Sequence, residues 1–197
     1  MVGDPYDTFD DPYCYTDSHI LRNVPDMHDE AALEQFEVEM VAIRAIEDLP
    51  ELPKGKLRPT YYRKLHHHLF QDVYDWAGKD RTIRTAKGGN PFCYPEYIDK
   101  YLRELFDRLD GPEFQQGVAQ ANFILAAADF LAELNIIHPF REGNGRSQLV
   151  FLRLLGLRAG HPFRSESVEP TEFIQAMIDS FGGDLAPLID ELERMQS

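Results

Sequence analysis

Hydrophobic residues recur every three to four positions along most of the chain, which predicts a protein built mainly from α-helices. The first such segment covers residues 29–49. The second is expected to begin with Thr60 as its cap and to close at Gly78. Pro95 is expected to start a third helix, with Tyr101 among its inward-facing residues.

Two further segments are more apolar and predict helices in the interior of the fold. Residues 114–135 are rich in Ala, Leu and Ile on nearly every side, which is typical of a central buried helix. The next apolar segment begins near Gly145 and is stopped by Gly160. Short amphipathic helices are expected after Pro170 and after Asp184.

One short region breaks the helical pattern. In residues 80–95 the runs "RTIRT" and "PFCY" flank "AKGGN", and Gly88 and Gly89 can adopt the positive φ of a tight turn. This pattern predicts a β-hairpin. The whole pattern therefore predicts an all-α fold of about seven to eight helices with one hairpin, in a single domain over residues 1–197 whose first 25 residues form an irregular arm.

Composition narrows the function classes. The chain has 20 Lys and Arg against 34 Asp and Glu, a net charge of −14. This charge repels phosphate backbones and anionic membranes, so we expect neither nucleic acid nor membrane as a partner. Cys14 and Cys93 are far apart, which favours free thiols in a reducing compartment. The N-terminus lacks the apolar segment of a signal peptide, and no apolar run is expected to span a membrane.

The stretch "HPFREGNGR" at residues 138–146 lies between the two apolar helices. The first turn of a helix leaves backbone N–H groups unpaired, and glycine lets an anion approach them closely. Gly143, Asn144 and Gly145 therefore predict an anion-binding nest, with the Asn144 amide as a further donor. Arg146 can add a bidentate contact to phosphate oxygens.

Two other side chains of this stretch add chemistry to the anion site. Glu142 lies beside the nest, where a carboxylate is unfavourable unless a cation such as Mg²⁺ lies between it and the phosphates. His138 has the side chain whose ordinary pKa suits it to accept a proton from a hydroxyl nucleophile. Together these groups predict phosphoryl or nucleotidyl transfer.

The same stretch resembles the motif H-x-F-x-[D/E]-G-N-G-R-x-x-R of Fic-domain proteins. The resemblance extends to "HHLFQDVYDWAGKDRTIRT", "KGGNPFCYPEYI" and "LRLLGLRAGHPF", and so covers nearly the whole chain. It implies the Fic fold and transfer of AMP from ATP to a Ser, Thr or Tyr hydroxyl of a target protein, with pyrophosphate as the leaving group.

The resemblance also implies a role for each residue of the motif. His138 would be the general base, and Phe140 would anchor the loop in the core. Glu142 would hold Mg²⁺ at the α- and β-phosphates. The nest at 143–145 would bind the phosphates, and Arg146 would contact the β-phosphate.

The hairpin resembles the family's flap. An exposed strand edge there could pair with an extended segment of the target and place its hydroxyl over the α-phosphate. The candidate docking residues are Arg84, Thr85, Lys87, Gly88, Gly89 and Phe92.

The sequence departs from the family at two points. Leu149 stands where the second arginine of the motif, which reaches the γ-phosphate, is expected. The inhibitory pattern [S/T]-x-x-x-E-[G/N] is also missing, because its nearest match at residues 165–169 continues into Pro170. A separate small antitoxin-like chain could supply the missing glutamate. The departures leave open a different donor (GTP, UTP or CDP-choline) and a catalytically weak binding module.

The place of action is left open by the sequence. The protein could act in the bacterial cytoplasm as a toxin, or in a host cell as a translocated effector. His66, His67 and His68 form a triplet, but consecutive residues on a helix point in three directions, so we do not expect them to bind one metal ion.

Overall fold

The computed structural model describes residues 11–47, 49–87, 89–164 and 169–196. Within these ranges the helices are α1 (Glu30–Ile46), α2 (Pro59–Phe70), α3 (Ile98–Asp107), α4 (Gln120–Ile137), α5 (Asn144–Ala159), α6 (Pro170–Phe181) and α7 (Ala186–Arg194). The strands are β1 (Ala86–Lys87) and β2 (Asn90–Pro91), and short 3₁₀ turns cover Pro95–Tyr97, Arg108–Asp110 and Pro112–Phe114. The predicted all-α fold with one hairpin is confirmed.

Helix α4 lies at the centre of the bundle, where it contacts α3, α5, α6 and α7. Buried hydrophobic side chains from all seven helices form one connected core around it, and this burial is the main source of stability. Its start was predicted too early, because Phe114 belongs to a 3₁₀ turn and Gly117 follows with φ of 87°. By length and composition its 18 residues could also cross a membrane, although half of them are buried in the protein.

The starts of α1 and α2 show two different ways to begin a helix. Asp29 caps α1, because its carboxylate accepts a hydrogen bond of 2.8 Å from the N–H of Ala32. The prediction that Thr60 caps α2 is wrong: Arg58 is the capping residue and Pro59 is the first helical residue. Proline fits that position because its φ is already helical and it lacks an N–H that would stay unpaired.

Helix α3 follows the 3₁₀ turn that begins at Pro95, so the predicted start is off by three residues. Its buried face contains Ile98, Leu102 and Leu105. The prediction that Tyr101 faces inward is wrong, because this side chain is 42% exposed. Its ring lies 6.2 Å from that of Tyr97 at the rim of the buried face.

The two strands of the hairpin are shorter than predicted, and they lie closer to the turn. Ala86 pairs with Pro91, and Lys87 pairs with Asn90. The runs predicted as strands bond to each other through Phe92 N–H and Thr85 O at 3.0 Å. They also bond to the end of α4, where the N–H of Cys93 donates to Ile136 O at 3.0 Å. These flanking runs therefore tie the flap to the end of α4. Gly88 lies outside the described residues.

The described part of the N-terminal arm, residues 11–25, packs against the bundle without forming a helix. The N–H of Val24 donates to Val73 O at 2.8 Å. Asp11 accepts a hydrogen bond of 2.8 Å from Arg141 Nε, inside the stretch 138–146. The arm is therefore attached to the loop that carries the candidate chemistry.

Candidate active site

A cavity of about 1360 Å³ lies over the loop that joins α4 to α5. The loop forms one wall, and the flap, arm residues 11–22 and α6 form the others. The loop begins at His138, whose left-handed backbone (φ 46°, ψ 64°) ends α4. It finishes at Gly143, whose φ of 80° starts α5.

The Asn144 side chain fixes the loop from within. Its Oδ1 accepts a hydrogen bond of 3.0 Å from Phe140 N–H, and its Nδ2 donates to Phe140 O at 2.8 Å. Asn144 is buried, and the Phe140 ring packs in the core. The Asn144 side chain thus uses its oxygen and one amide hydrogen inside the loop, and its expected donation to an anion stays a prediction. The backbone N–H of Asn144 is still available to bind an anion.

The start of α5 offers several donors to the cavity. The N–H groups of Asn144, Gly145 and Arg146 lie in the first turn, where no helical carbonyl can accept from them. A Cβ built on Gly145 would meet no atom within 4 Å, so open space lies beside these donors. A Cβ on Gly143 would overlap the ring of Phe70, so glycine is required there by contact as well as by φ.

Arg146 is held from three sides. It forms an ion pair with Glu37 of α1, lies 3.5 Å from Glu142 Oε1, and has its guanidinium carbon 4.9 Å from the centre of the Phe70 ring. Glu37 is only 7% exposed. Sequence reasoning missed Glu37, although it lies four residues from Leu33 and from Val41, on the buried face of α1, where a charged residue is unusual.

Contacts on two sides fix the orientation of the His138 ring. Its Nδ1 lies 3.3 Å from Asn135 O. Because a carbonyl oxygen only accepts, Nδ1 carries the hydrogen, and Nε2 of the neutral ring is left as the base. The ring stacks on Phe92 of the flap at 3.7 Å. Burial, together with the positive charges of Arg81 and Lys87, lowers the pKa of His138 to about 3.

Comparison with known proteins identifies the family to which this site belongs. The model of the Fic/DOC family matches residues 56–156, which include the flap and the whole loop. The chain belongs to the Fic/DOC family. It is 49% identical over 96% of its length to the probable protein adenylyltransferase y4lH of Sinorhizobium fredii, covering 98% of that protein.

Further relatives support the family and the fold. The chain is 33% identical to the probable protein adenylyltransferase Fic of Escherichia coli, over 95% of this chain and 92% of that protein. The crystal structure of the BepC protein of Bartonella tribocorum, a VirB-translocated effector with bound AMPPNP, superposes with a TM-score of 0.84 at 26% identity, over 93% of this chain and 95% of that chain. The predicted Fic fold is confirmed.

Most of the residues predicted to dock the target from the flap lie at the cavity above the loop. Arg84, Thr85, Lys87 and Phe92 line the cavity. Gly89 occupies the turn with φ of 80°. The β1–β2 pair is the sheet that the described residues form, so its outer edges are not covered by another strand.

Leu149, which replaces the second arginine of the Fic motif, lines the same cavity. An apolar side chain therefore stands where the family pattern has a cation. The nearest match to the inhibitory pattern falls mostly outside the described residues, which exclude 165–168. Pro170, which follows this match, is the first residue of α6.

The histidine triplet diverges as predicted. His67 contacts Ala77 O at 3.1 Å, and His68 contacts Arg44 O at 3.0 Å. His66 turns to the Fic loop: its Nδ1 accepts from Gly78 N–H at 2.9 Å, and its Nε2 donates to Glu142 O at 2.9 Å. His66 thus supports the backbone of Glu142, a role that the sequence did not suggest.

Proposed function

We propose that the chain transfers AMP from ATP to a hydroxyl group of a target protein and releases pyrophosphate. It is a protein adenylyltransferase, as are its relatives by name. One observation carries the residue-level proposal: the unprotonated Nε2 of His138 shares a cavity with the donors at the start of α5 and with Arg146.

In this proposal His138 acts as the general base. Its Nε2 accepts the proton of the target hydroxyl while the hydroxyl oxygen attacks the α-phosphorus of ATP. The bond between the α-phosphorus and its bridging oxygen to the β-phosphate breaks, and pyrophosphate leaves with that oxygen. The hydrogen bond from Nδ1 to Asn135 O keeps the tautomer correct and stabilises the charged ring that forms.

The phosphates are proposed to bind at the start of α5. The backbone N–H groups of 144–146 and the positive end of the helix dipole stabilise negative charge there without reorganisation. Arg146 supplies a fixed positive charge, because Glu37 and Phe70 already hold its guanidinium. The open space beside Gly145 allows close approach of the phosphate oxygens.

The residues also fit a magnesium ion. The carboxylate of Glu142 is 45% exposed, and its Oε1 accepts from Gly143 N–H at 2.8 Å. A hard carboxylate oxygen beside phosphates is the usual Mg²⁺ ligand. We propose that Glu142 holds Mg²⁺, which when bound would neutralise charge on the phosphates.

The target protein is proposed to dock on the flap. Its extended segment would add a strand to an outer edge of the β1–β2 pair, which puts a Ser, Thr or Tyr hydroxyl beside His138. Phe92 links the two parts of the site, because it belongs to the flap and stacks on the ring of the base.

The test is transfer of label from α-labelled ATP to proteins of a cell lysate. His138→Ala is expected to lower the transfer rate by about 100-fold or more, because the base is lost. His28→Ala is the control, since that side chain is 61% exposed and is not among the residues that line the cavity. Equal labelling by His138→Ala and wild type would contradict the role of His138. Tight binding of Mg·ATP with no labelling by wild type would favour a binding module.

Leu149 favours a second candidate function, which is transfer from a donor other than ATP. Without the expected arginine, the site has less charge for a γ-phosphate. A panel of labelled ATP, GTP, UTP and CDP-choline decides between donors. Use of ATP alone would remove this candidate, while faster transfer from another donor would replace ATP.

Two of the family-based expectations stay predictions. One is a small antitoxin-like chain that supplies an inhibitory glutamate, which co-purification with the product of an adjacent short reading frame would test. The other is the place of action, in the bacterial cytoplasm or in a host cell. The relative BepC is a VirB-translocated effector, so a translocation assay on a reporter fusion is the direct measurement.

A further inference from the structure

Arg81 is a buried charge at the point where the flap joins the bundle. Its side chain is 2% exposed. Its side-chain hydrogen bonds among the described residues all go to backbone carbonyl oxygens. A buried guanidinium without a carboxylate partner is costly, and its burial lowers the pKa of Arg81 to about 10.

Two of these bonds hold the end of α4. Arg81 Nε donates to His138 O at 2.8 Å, and Nη2 donates to Ile137 O at 3.3 Å. The backbone N–H of Arg81 also donates to Pro139 O at 2.8 Å. The last carbonyls of a helix lack helical partners and carry partial negative charge, so a cation there is favourable. These bonds oppose the strain of the left-handed His138 backbone.

The other two bonds hold the two sides of the flap. Nη1 donates to Ile83 O at 2.6 Å, before β1. Nη2 donates to Cys93 O at 2.5 Å, after β2. One planar group therefore fixes both sides of the flap against the residue that carries the base. A lysine could not reproduce this arrangement, because an ammonium has three donors and no rigid fork.

We propose that Arg81 is a positioning residue that couples the flap to His138, so that a hydroxyl docked on the flap is held at a fixed distance from the base. This inference rests on the proposed function. Arg81 contacts no reacting atom and acts through the carbonyls of His138, Ile83 and Cys93. Its loss is expected to impair transfer while ATP binding, which uses the start of α5, is retained.

The experiment uses the full chain with Arg81→Lys, which keeps the charge and loses the fork. The control is Arg108→Lys, because Arg108 also holds α4, through Glu133 and Asp129, but away from the cavity. We expect Arg81→Lys to transfer label about 100-fold more slowly, as displacement of reacting groups by about 1 Å can do. Its affinity for Mg·ATP, measured by calorimetry, should stay close to that of the control, while its urea midpoint falls because buried carbonyl oxygens lose their donors.

Amide hydrogen exchange provides a readout independent of activity. In Arg81→Lys, peptides covering 89–94 and 136–140 should exchange faster together, whereas the rest of α4 and both peptides of the control should not change. Unchanged exchange, or faster exchange of one peptide alone, would overturn the coupling. A parallel loss of ATP binding and urea stability would reduce Arg81 to a structural residue. If wild type itself transfers no label, the proposed function fails, and the exchange data still decide the coupling.

Discussion

Glu37 shows how much a single buried residue determines at this site. It is a carboxylate on the inner face of α1, far from the motif in sequence, and it is the buried partner of Arg146. One of its oxygens, Oε2, is buried without a hydrogen-bond partner among the described residues. Because a buried charge is stable only with a partner, Glu37 and Arg146 depend on each other.

Replacement of Glu37 by glutamine is therefore expected to destabilise the protein by about 1–3 kcal/mol, because Arg146 loses its buried counter-charge. Urea unfolding measures this change. Glu34→Gln, an exposed change on the same helix, should stay within about 0.5 kcal/mol of wild type. Equal stability of Glu37→Gln and Glu34→Gln would show that the pair with Arg146 contributes nothing.

At the scale of elements, the sequence predicted which segments are helices but not how their ends meet. Periodicity, or overall apolarity for α4 and α5, sufficed for α1 to α7, because each helix contributes apolar side chains to the core. The hairpin strands were misplaced, because the backbone of Cys93 bonds to α4 instead of to the opposite strand. The contiguous motif gave His138 and Arg146, whereas Glu37, His66 and Arg81 contact it from distant segments that no local pattern connects.

The start of α5 gives a prediction for the loop. Gly143→Ala should destabilise the protein by about 2–4 kcal/mol, because a left-handed non-glycine residue costs about 1 kcal/mol and overlap with the Phe70 ring adds about 1–3 kcal/mol. Gly160→Ala is the matched control: its φ is also positive, at 84°, but its Cβ would meet nothing within 4 Å. Chemical denaturation of both variants should give a clear difference, and equal losses would disprove the close contact.

At the scale of the whole molecule, buried histidines link stability to pH. Burial lowers the pKa of His66 and of His138 to about 3 each. The unfolded chain binds a proton at each site below about pH 6.5, while the folded protein does not until about pH 3. The unfolded state thus binds more protons in this window, so stability falls as pH decreases from about 6.5.

Fully buried His66 is expected to account for about 2 kcal/mol of lost stability between pH 6.5 and pH 5. Urea unfolding of wild type and His66→Phe at pH 7 and pH 5 measures it, and the difference between the two proteins cancels the contribution of the carboxylates. The variant should be less stable at pH 7 yet lose less on acidification, while His28→Phe should follow wild type. The same acid sensitivity in His66→Phe would contradict the assignment.

The walls of the cavity come partly from outside the region that matches the family model, which bears on how Fic/DOC proteins differ from one another. The region that matches the family model ends at residue 156 and begins at residue 56, yet arm residues 11–22 and α6 line the cavity as well. The matched region contains the flap and the loop at 138–146, and the flanking regions form further walls of the cavity. We therefore expect changes in the flanks to alter which targets reach the flap, while the loop itself is unchanged.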